Sequence, residues 1–218
     1  SLILPCYNEY KNLRLLIPLI HKCFSKSNYQ IIIVDDNSED LTIKKLKSKF
    51  RLNKNIKYIL RKKNPSLGLS IKEGIKKSDG NVIIVMDTDF NHSPKDLKKM
   101  INLYDLNDYD LVCGSRFLKG GFSTTYFRHY CSKIFNFFVN FITRGKISDN
   151  LSGFFIIKKF FLNNMLDKIF YGYGDFYIRL LFYMQKKKLK IHEVSVRYGP
   201  RRFGQSKTKF IKILILYS

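Results

Sequence analysis

Apolar residues come in short runs along this chain, and each run stops at a cluster of polar ones. LIL (2–4), IIIV (31–34), IKYIL (56–60), VIIVM (82–86) and DLVCG (110–114) read as strands. Most lack the apolar–polar alternation of a half-exposed strand, so they are expected to be covered on both faces. Between them apolar residues return every three or four positions. Leu13, Leu16, Ile17 and Ile20 predict a helix over 9–24, with Pro18 placed to kink it. Further helices are predicted over 39–50 with Ser38 as N-cap, over 67–78, and over 94–104, where Pro94 suits the first helical position. The second half is less regular. It reads as a long aromatic helix over 126–143, a loop SDNLSG (148–153) and a strand FFII (154–157). Helical pieces near 159–169 and 174–188 and a strand KIHEVSV (190–196) complete it.

Strand–helix repetition with doubly covered strands gives an α/β protein, a mostly parallel central sheet flanked by helices. Ligands bind such sheets beyond the carboxyl ends of the strands. Polar residues gather there, at 6–9, 35–38, 61–68, 87–92 and 114–117. One catalytic unit is expected over 1–208, with the later elements extending the same sheet and covering its mouth. The segment KFIKILILYS (209–218) is expected to be either the start of a truncated membrane anchor or a last core helix.

Charge narrows the partners. With 40 Lys/Arg against 17 Asp/Glu, the 218-residue chain carries +23. Nucleic acid, acidic lipid headgroups and nucleotide diphosphates are the anions to consider. A nucleic-acid-binding module leaves the acids clustered at strand ends unexplained, because they would repel a phosphate backbone. Cys6, Cys23, Cys113 and Cys131 form no CxxC pair, so they read as lone thiols rather than a zinc or redox site. No stretch reaches the roughly 18 continuous apolar residues of a membrane span.

The sharpest chemistry lies in VIIVMDTDFNHSP (82–94). Asp87 and Asp89 follow an apolar strand at i and i+2, where both carboxylates can serve one hard cation, Mg2+ or Mn2+, that also bridges phosphate oxygens. The competing reading is a solvated helix cap. His92 is either an added ligand or, more simply, a surface or capping residue. Asp35-Asp36-Asn37-Ser38 offers a carboxylate for a ribose or base, or forms an ordinary turn. Lys62 or Arg61, with Gly68, is placed to touch phosphates or the base. GxxxxGK[ST] and GxGxxG are both absent, which removes support for a Walker ATPase and a Rossmann dinucleotide site. Arg116 follows a strand, and Arg128 and Ser132 stand four apart on the aromatic helix, where guanidinium groups suit phosphate. The stretch RRFGQSK (201–207) is a basic loop in which Gly204 permits a tight turn.

Together PCYNE (5–9), VDDNS (34–38), RKKNPSLGLS (61–70), MDTDFNHSP (86–94), GSRFLKGG (114–121), SDNLSGF (148–154) and RRFGQSK (201–207) resemble GT-A-type family 2 glycosyltransferases. The resemblance is to the dolichyl-phosphate mannosyltransferase-like, or polyprenyl-phosphate glycosyltransferase, branch, and it covers nearly the whole chain. It implies the GT-A nucleotide-diphospho-sugar transferase fold. Pro5, Tyr7, Glu9, Asp36, Lys62 and Thr88 would bind the nucleotide sugar, with Asp87 and Asp89 holding the metal and diphosphate. Arg116, Arg128 and Ser132 would hold the acceptor phosphate. Asp89, Arg116, Arg128 and Asp149 would form the catalytic set, and Arg201 and Lys207 would belong to a mobile loop over the donor. The family's GY…Glu segment stands here as GYGDFYIRLL (172–181), with Asp175 in a shifted place.

The resemblance implies an inverting, metal-dependent transfer of a hexose, mannose from GDP-mannose first, to a polyprenyl phosphate. Alternatives are UDP-glucose or a UDP-N-acetylhexosamine as donor, or a soluble saccharide as acceptor. It also implies a membrane surface as partner, helix 126–143 at the interface, a location on the cytoplasmic face, and no nucleic acid.

Overall fold

The computed structural model describes residues 1–24, 28–122 and 125–204. β1 (Leu2–Cys6) is buried along its whole length, as are β2 (Ile31–Asp35) and β5 (Leu111–Ser115). With β3 (Ile56–Leu60), β4 (Val82–Val85), β6 (Phe155–Lys158) and β7 (Ile191–Ser195) they form one seven-stranded sheet in the order β3-β2-β1-β4-β6-β5-β7. β1 pairs in parallel with β2 and β4, β2 with β3, and β5 with β7. β6 runs antiparallel to both of its neighbours, with Phe155 opposite Val85 and Cys113. The reversal delivers the loop before β6, rather than the one after it, to the carboxyl ends of β4 and β5.

Helices cover both faces of the sheet's middle, which is why β1, β4 and most of β2 are apolar, whereas the edge strands β3 (IKYIL) and β7 (IHEVS) carry polar residues. On one face Leu2, Leu4, Ile31, Ile33 and Ile84 pack with Leu13, Leu16, Ile17 and Ile20 of α1 (Tyr10–Cys23) and with Leu97 and Met100 of α4 (Pro94–Leu106). On the other, Ile3, Ile32, Val34, Ile83 and Val85 meet Ile71 and Ile75 of α3 (Leu67–Lys76) and Tyr177, Leu180 and Met184 of α7 (Asp175–Lys186). Each such side chain contributes about 1.5–3 kcal/mol by leaving water, so the two layers hold the strand ends in fixed register.

Several boundaries differ from expectation for physical reasons. α1 runs on through Pro18, which faces solvent. α2 (Thr42–Lys49) starts three residues later than predicted, after Leu41 in a left-handed conformation. Ser38 caps nothing: its hydroxyl donates to Asp35 and accepts from the Asn8 N–H at 2.7 Å. Asn8 Oδ1 in turn accepts from the Glu39 and Asp40 N–H groups, so the β2 turn wraps around Asn8 before a helix can begin. Pro94 opens α4 as predicted, and Ser93 caps it by accepting from the Asp96 N–H at 3.0 Å. The predicted helix over 159–169 is split into a 3-10 turn (Lys159–Leu162) and the short α6 (Leu166–Ile169), with Asn164 between them at φ +64°.

α5 (Tyr126–Thr143) occupies the predicted range and exposes Phe127, Tyr130, Phe137, Phe138, Phe141 and Ile142. Asn136 and Asn140 tie it to the preceding-β6 loop: Asn136 Oδ1 accepts from the Asn150 N–H at 2.5 Å, and Asn140 Nδ2 donates to the Ile147 carbonyl at 2.7 Å. Membrane association at a cytoplasmic face, expected from the sequence, is corrected by the fold. Among the described residues no helix is long and apolar enough to cross a membrane. Residues 209–218 and Lys207 lie outside the described residues.

Candidate active site

The carboxyl ends of β1, β2 and β4 lie side by side and open into a cavity of about 1350 Å³. Pro5, Tyr7 and Glu9 line it after β1, and Asp36 after β2. Asp36 is held from behind. Arg61 Nη1 pairs with Asp36 Oδ1 and donates to Ser70 Oγ at 2.9 Å, while the Ser66 N–H donates to Asp36 Oδ2 at 2.9 Å. Arg61 therefore fixes the carboxylate, whereas the exposed Lys62 faces the cavity. Gly68 serves packing: its N–H donates to the Gly172 carbonyl at 3.1 Å, and a Cβ there would stand 2.6 Å from the Tyr171 oxygen.

The Asp87–Asp89 turn sits at the centre. The Thr88 hydroxyl donates to the Pro5 carbonyl at 3.5 Å, tying the ends of β4 and β1 together. Asp89 is buried, with Asn91 N–H on Oδ1 at 2.9 Å and Asn91 Nδ2 on Oδ2 at 3.0 Å. Arg201 spans the cleft, its Nη2 2.9 Å from Asp89 Oδ2 and its Nη1 3.0 Å from Glu9 Oε1. The Asp87 side chain, 40 % exposed, opens into the cavity. Its carboxylate takes no hydrogen bond among the described residues, and the nearest ring nitrogen, His92 Nε2, is 3.7 Å away. Enclosure by protein, and then the charge of Asp89, hold the Asp87 carboxyl well above the usual carboxylate range. The Asp87 carboxylate, without a donor among the described residues and two positions from Asp89, fits as a ligand of a divalent cation. No group of three or more ligating side chains exists among the described residues, so Asp87 and Asp89 would be the protein's share of its ligands.

His92 is neither a metal ligand nor a surface residue. It is buried and stacked on Phe154, with ring centroids 4.5 Å apart. The Asp87 N–H donates to its Nδ1 at 2.9 Å, so the hydrogen rests on Nε2, which donates to Tyr198 Oη at 2.7 Å. Tyr198 passes the chain on to the Ser152 carbonyl. Burial pushes the imidazole down to about 4, so it is neutral near pH 7.

Arg116 comes from the end of β5 and Asp149 from the loop before β6. Arg116 Nε and its own N–H reach Asp149 Oδ2 at 2.7 and 3.0 Å, and Nη2 reaches Oδ1 at 2.8 Å. Asp149 is fully buried and stands behind Arg116, outside the cavity lining. Arg116 lines the cavity with 8 % of its surface exposed and lies 4.7 Å from the Tyr198 ring centroid. Burial opposes its charge, but the hydrogen bonds and charge of Asp149 outweigh that. Glu193 of β7 braces the same loop, accepting from the Ser148 N–H at 2.9 Å and its hydroxyl at 2.6 Å. Glu193 and Tyr198 carry no motif, and sequence reasoning missed them; Asn91 stands inside MDTDFNHSP (86–94) but was given no role of its own. Ser132 lines the cavity, and Arg128 precedes it by one turn of α5.

The sequence pattern described as glycosyl transferase family 2 matches residues 1–166. The chain belongs to this family. This family 2 glycosyl transferase is 34% identical over 217 residues to a dolichol-phosphate mannosyltransferase of Pyrococcus furiosus, covering 96% of the chain and 59% of that protein. It is 27% identical over 230 residues to the dolichol-phosphate mannosyltransferase of Saccharomyces cerevisiae, covering all of the chain and 83% of that protein. The chain thus spans less than two thirds of the length of the first of these relatives. Among solved structures it is similar to glucosyl-3-phosphoglycerate synthase from Mycobacterium tuberculosis, with a TM-score of 0.70 at 17% identity over 94% of this chain and 72% of that one. That likeness shows the GT-A fold. The synthase was crystallised with Mn2+, UDP and glucosyl-3-phosphoglycerate, and also with UDP-glucose and phosphoglyceric acid.

One part of the cavity wall of the family 2 glycosyl transferase is apolar. Ile134, Phe135 and Phe138 of α5 face Leu151 and Phe176 across it. Acidic groups, two arginines and an apolar bed thus share one space.

Proposed function

We propose that the protein transfers a hexose from a nucleoside-diphosphate sugar, UDP-linked in the first instance, to an acceptor that carries a phosphate. The observation that supports this best is the arrangement around Asp87 and Asp89. Asp36 and Lys62 flank them on the side toward β2, Arg116 and Ser132 on the side toward β5, all in one cavity. Nucleoside and diphosphate fit the first side, and an anionic acceptor fits the second.

When bound at Asp87 and Asp89, Mg2+ or Mn2+ supplies positive charge to the departing nucleoside diphosphate. Asp36, immobilised by Arg61, accepts hydrogen bonds from the nucleoside. Lys62 and Arg201 meet phosphate oxygens. Arg116, oriented by Asp149, directs the acceptor, with Ser132 extending its anion site; the Arg128 side chain lies outside what the structure describes. An acceptor oxygen attacks C1 as the bond from C1 to the β-phosphate oxygen breaks, so the sugar carbon inverts; the nucleoside diphosphate departs, and an attacking hydroxyl gives its proton to solvent. Placement and charge stabilisation carry the reaction.

A second reading names GDP-mannose and a polyprenyl phosphate. The apolar wall from Ile134 to Phe138 and the two dolichol-phosphate mannosyltransferase relatives favour it. A phosphate monoester is largely ionised near neutral pH, its second pKa being about 6, so that acceptor needs no general base.

A radiolabelled transfer panel tests both. GDP- and UDP-sugars are offered with Mg2+ or Mn2+ to 3-phosphoglycerate, glycerol 3-phosphate and a polyprenyl phosphate in detergent micelles. Transfer to a small phosphorylated acceptor supports the first reading, and transfer to the micellar lipid alone selects the second. Transfer to none of the three overturns both.

A further inference from the structure

Arg201 occupies an unusual position for a residue assigned to a loop over the donor. It lies between two buried carboxylates, bonded to Glu9 through Nη1 at 3.0 Å and to Asp89 through Nη2 at 2.9 Å. Its segment is fastened along its length. The Gly199 N–H donates to the Asn91 carbonyl at 3.1 Å, the Arg202 N–H to the Asp89 carbonyl at 3.3 Å, and Asn12 Nδ2 to the Phe203 carbonyl at 3.1 Å. Asn12 Nδ2 also donates to Glu9 Oε2 at 2.6 Å, so the same amide orients the guanidinium's partner.

Both oxygens of Asp89 therefore already have donors, and one of those donors is a full positive charge. A divalent cation arriving alone must either share the site with Arg201 at close range or displace it from two enclosed carboxylates. A cation arriving with a diphosphate meets no such conflict. The diphosphate's oxygens offer the guanidinium a fork-shaped partner as good as Asp89, and they add the negative charge that lets two cations stand side by side.

We infer that Arg201 is a built-in counter-cation for Asp89 and Glu9, which makes metal binding at Asp87 and Asp89 conditional on the nucleoside diphosphate. Metal and donor then load together, and the empty site resists metal alone. This rests on the metal assignment made above, and the test separates the two.

Mn2+ binding is followed by the loss of the free-ion EPR signal, for wild type, R201Q and R201K, each alone and with saturating UDP or GDP. Wild type is expected to bind Mn2+ weakly alone and at least about tenfold more tightly with nucleotide. R201Q is expected to bind Mn2+ alone at least about tenfold more tightly than wild type does, and to gain less from nucleotide. R201K, which keeps the charge, stays within about threefold of wild type in Mn2+ affinity alone. Equal Mn2+ affinity of wild type and R201Q without nucleotide overturns the inference and leaves the metal assignment standing, as does R201K matching R201Q. Failure of wild type to bind Mn2+ even with nucleotide overturns both.

Discussion

Asp149 closes both carboxylate oxygens on Arg116, accepting Nε at 2.7 Å on one and Nη2 at 2.8 Å on the other. Glu193, on the strand beside β5, holds the backbone that carries Asp149. The guanidinium at the acceptor side is thus fixed by the loop before β6 before any ligand binds.

Asp149→Asn leaves Arg116 as a buried charge without its counter-ion. Breaking such a pair costs about 3–5 kcal/mol. The variant is expected to unfold at clearly lower denaturant, and its transfer activity to fall by about a hundredfold through misplacement of Arg116. Paired denaturation curves and initial rates check both.

Asp89→Asn is expected to cut transfer by about 10²–10³-fold, the scale on which charge stabilisation in a dry site operates. The fold persists, because Asn91 and Arg201 can still donate to the amide oxygen. Circular dichroism and transfer rates are the measurements. Unchanged turnover would end the metal assignment.

Arg61→Ala removes the cation that fixes Asp36 without touching the cavity side of that carboxylate. Nucleotide affinity is expected to drop by about tenfold, with the donor KM rising more than kcat falls. Calorimetric titration with UDP and GDP, set beside steady-state kinetics, shows the split.

Tyr198→Phe deletes the acceptor for His92 Nε2–H and the donor to Ser152. An unsatisfied buried donor costs about 1–3 kcal/mol, so chemical denaturation should record a loss of that size. The 197–204 segment loses one of its ties as well, so the donor KM is expected to rise.

The middle of the sheet was legible because burial on both faces leaves a plain trace, an unbroken apolar run such as LIL, IIIV or VIIV, while the edge strands β3 and β7 keep polar residues among their apolar ones. β1 to β5 and α5 lie close to where those runs place them. The direction of β6 was not legible, since FFII reads the same in a parallel or an antiparallel ladder. Ser38 misled because a serine before a helix is only one of several uses for a hydroxyl, and here Asp35 and Asn8 claim it. In the site, the spacing of Asp87 and Asp89 after an apolar strand was visible in a single segment. The pairings Arg116–Asp149 and Arg61–Asp36 join residues far apart in the chain, and no local pattern encodes them. His92 was misjudged for the same reason: its burial is created by Phe154 and Tyr198, both distant in sequence.

Among the described residues β7 ends the sheet, with β5 on one side and no strand on the other. The arm that carries Arg201 hangs from this outermost rung. Lifting it would sacrifice a handful of loop bonds while every ladder from β3 across to β5 kept its partners. Strand pairing is thereby separable from the contacts of this arm, so an opening that keeps Tyr198 on His92 and Ser152 leaves the sheet and its core as they are.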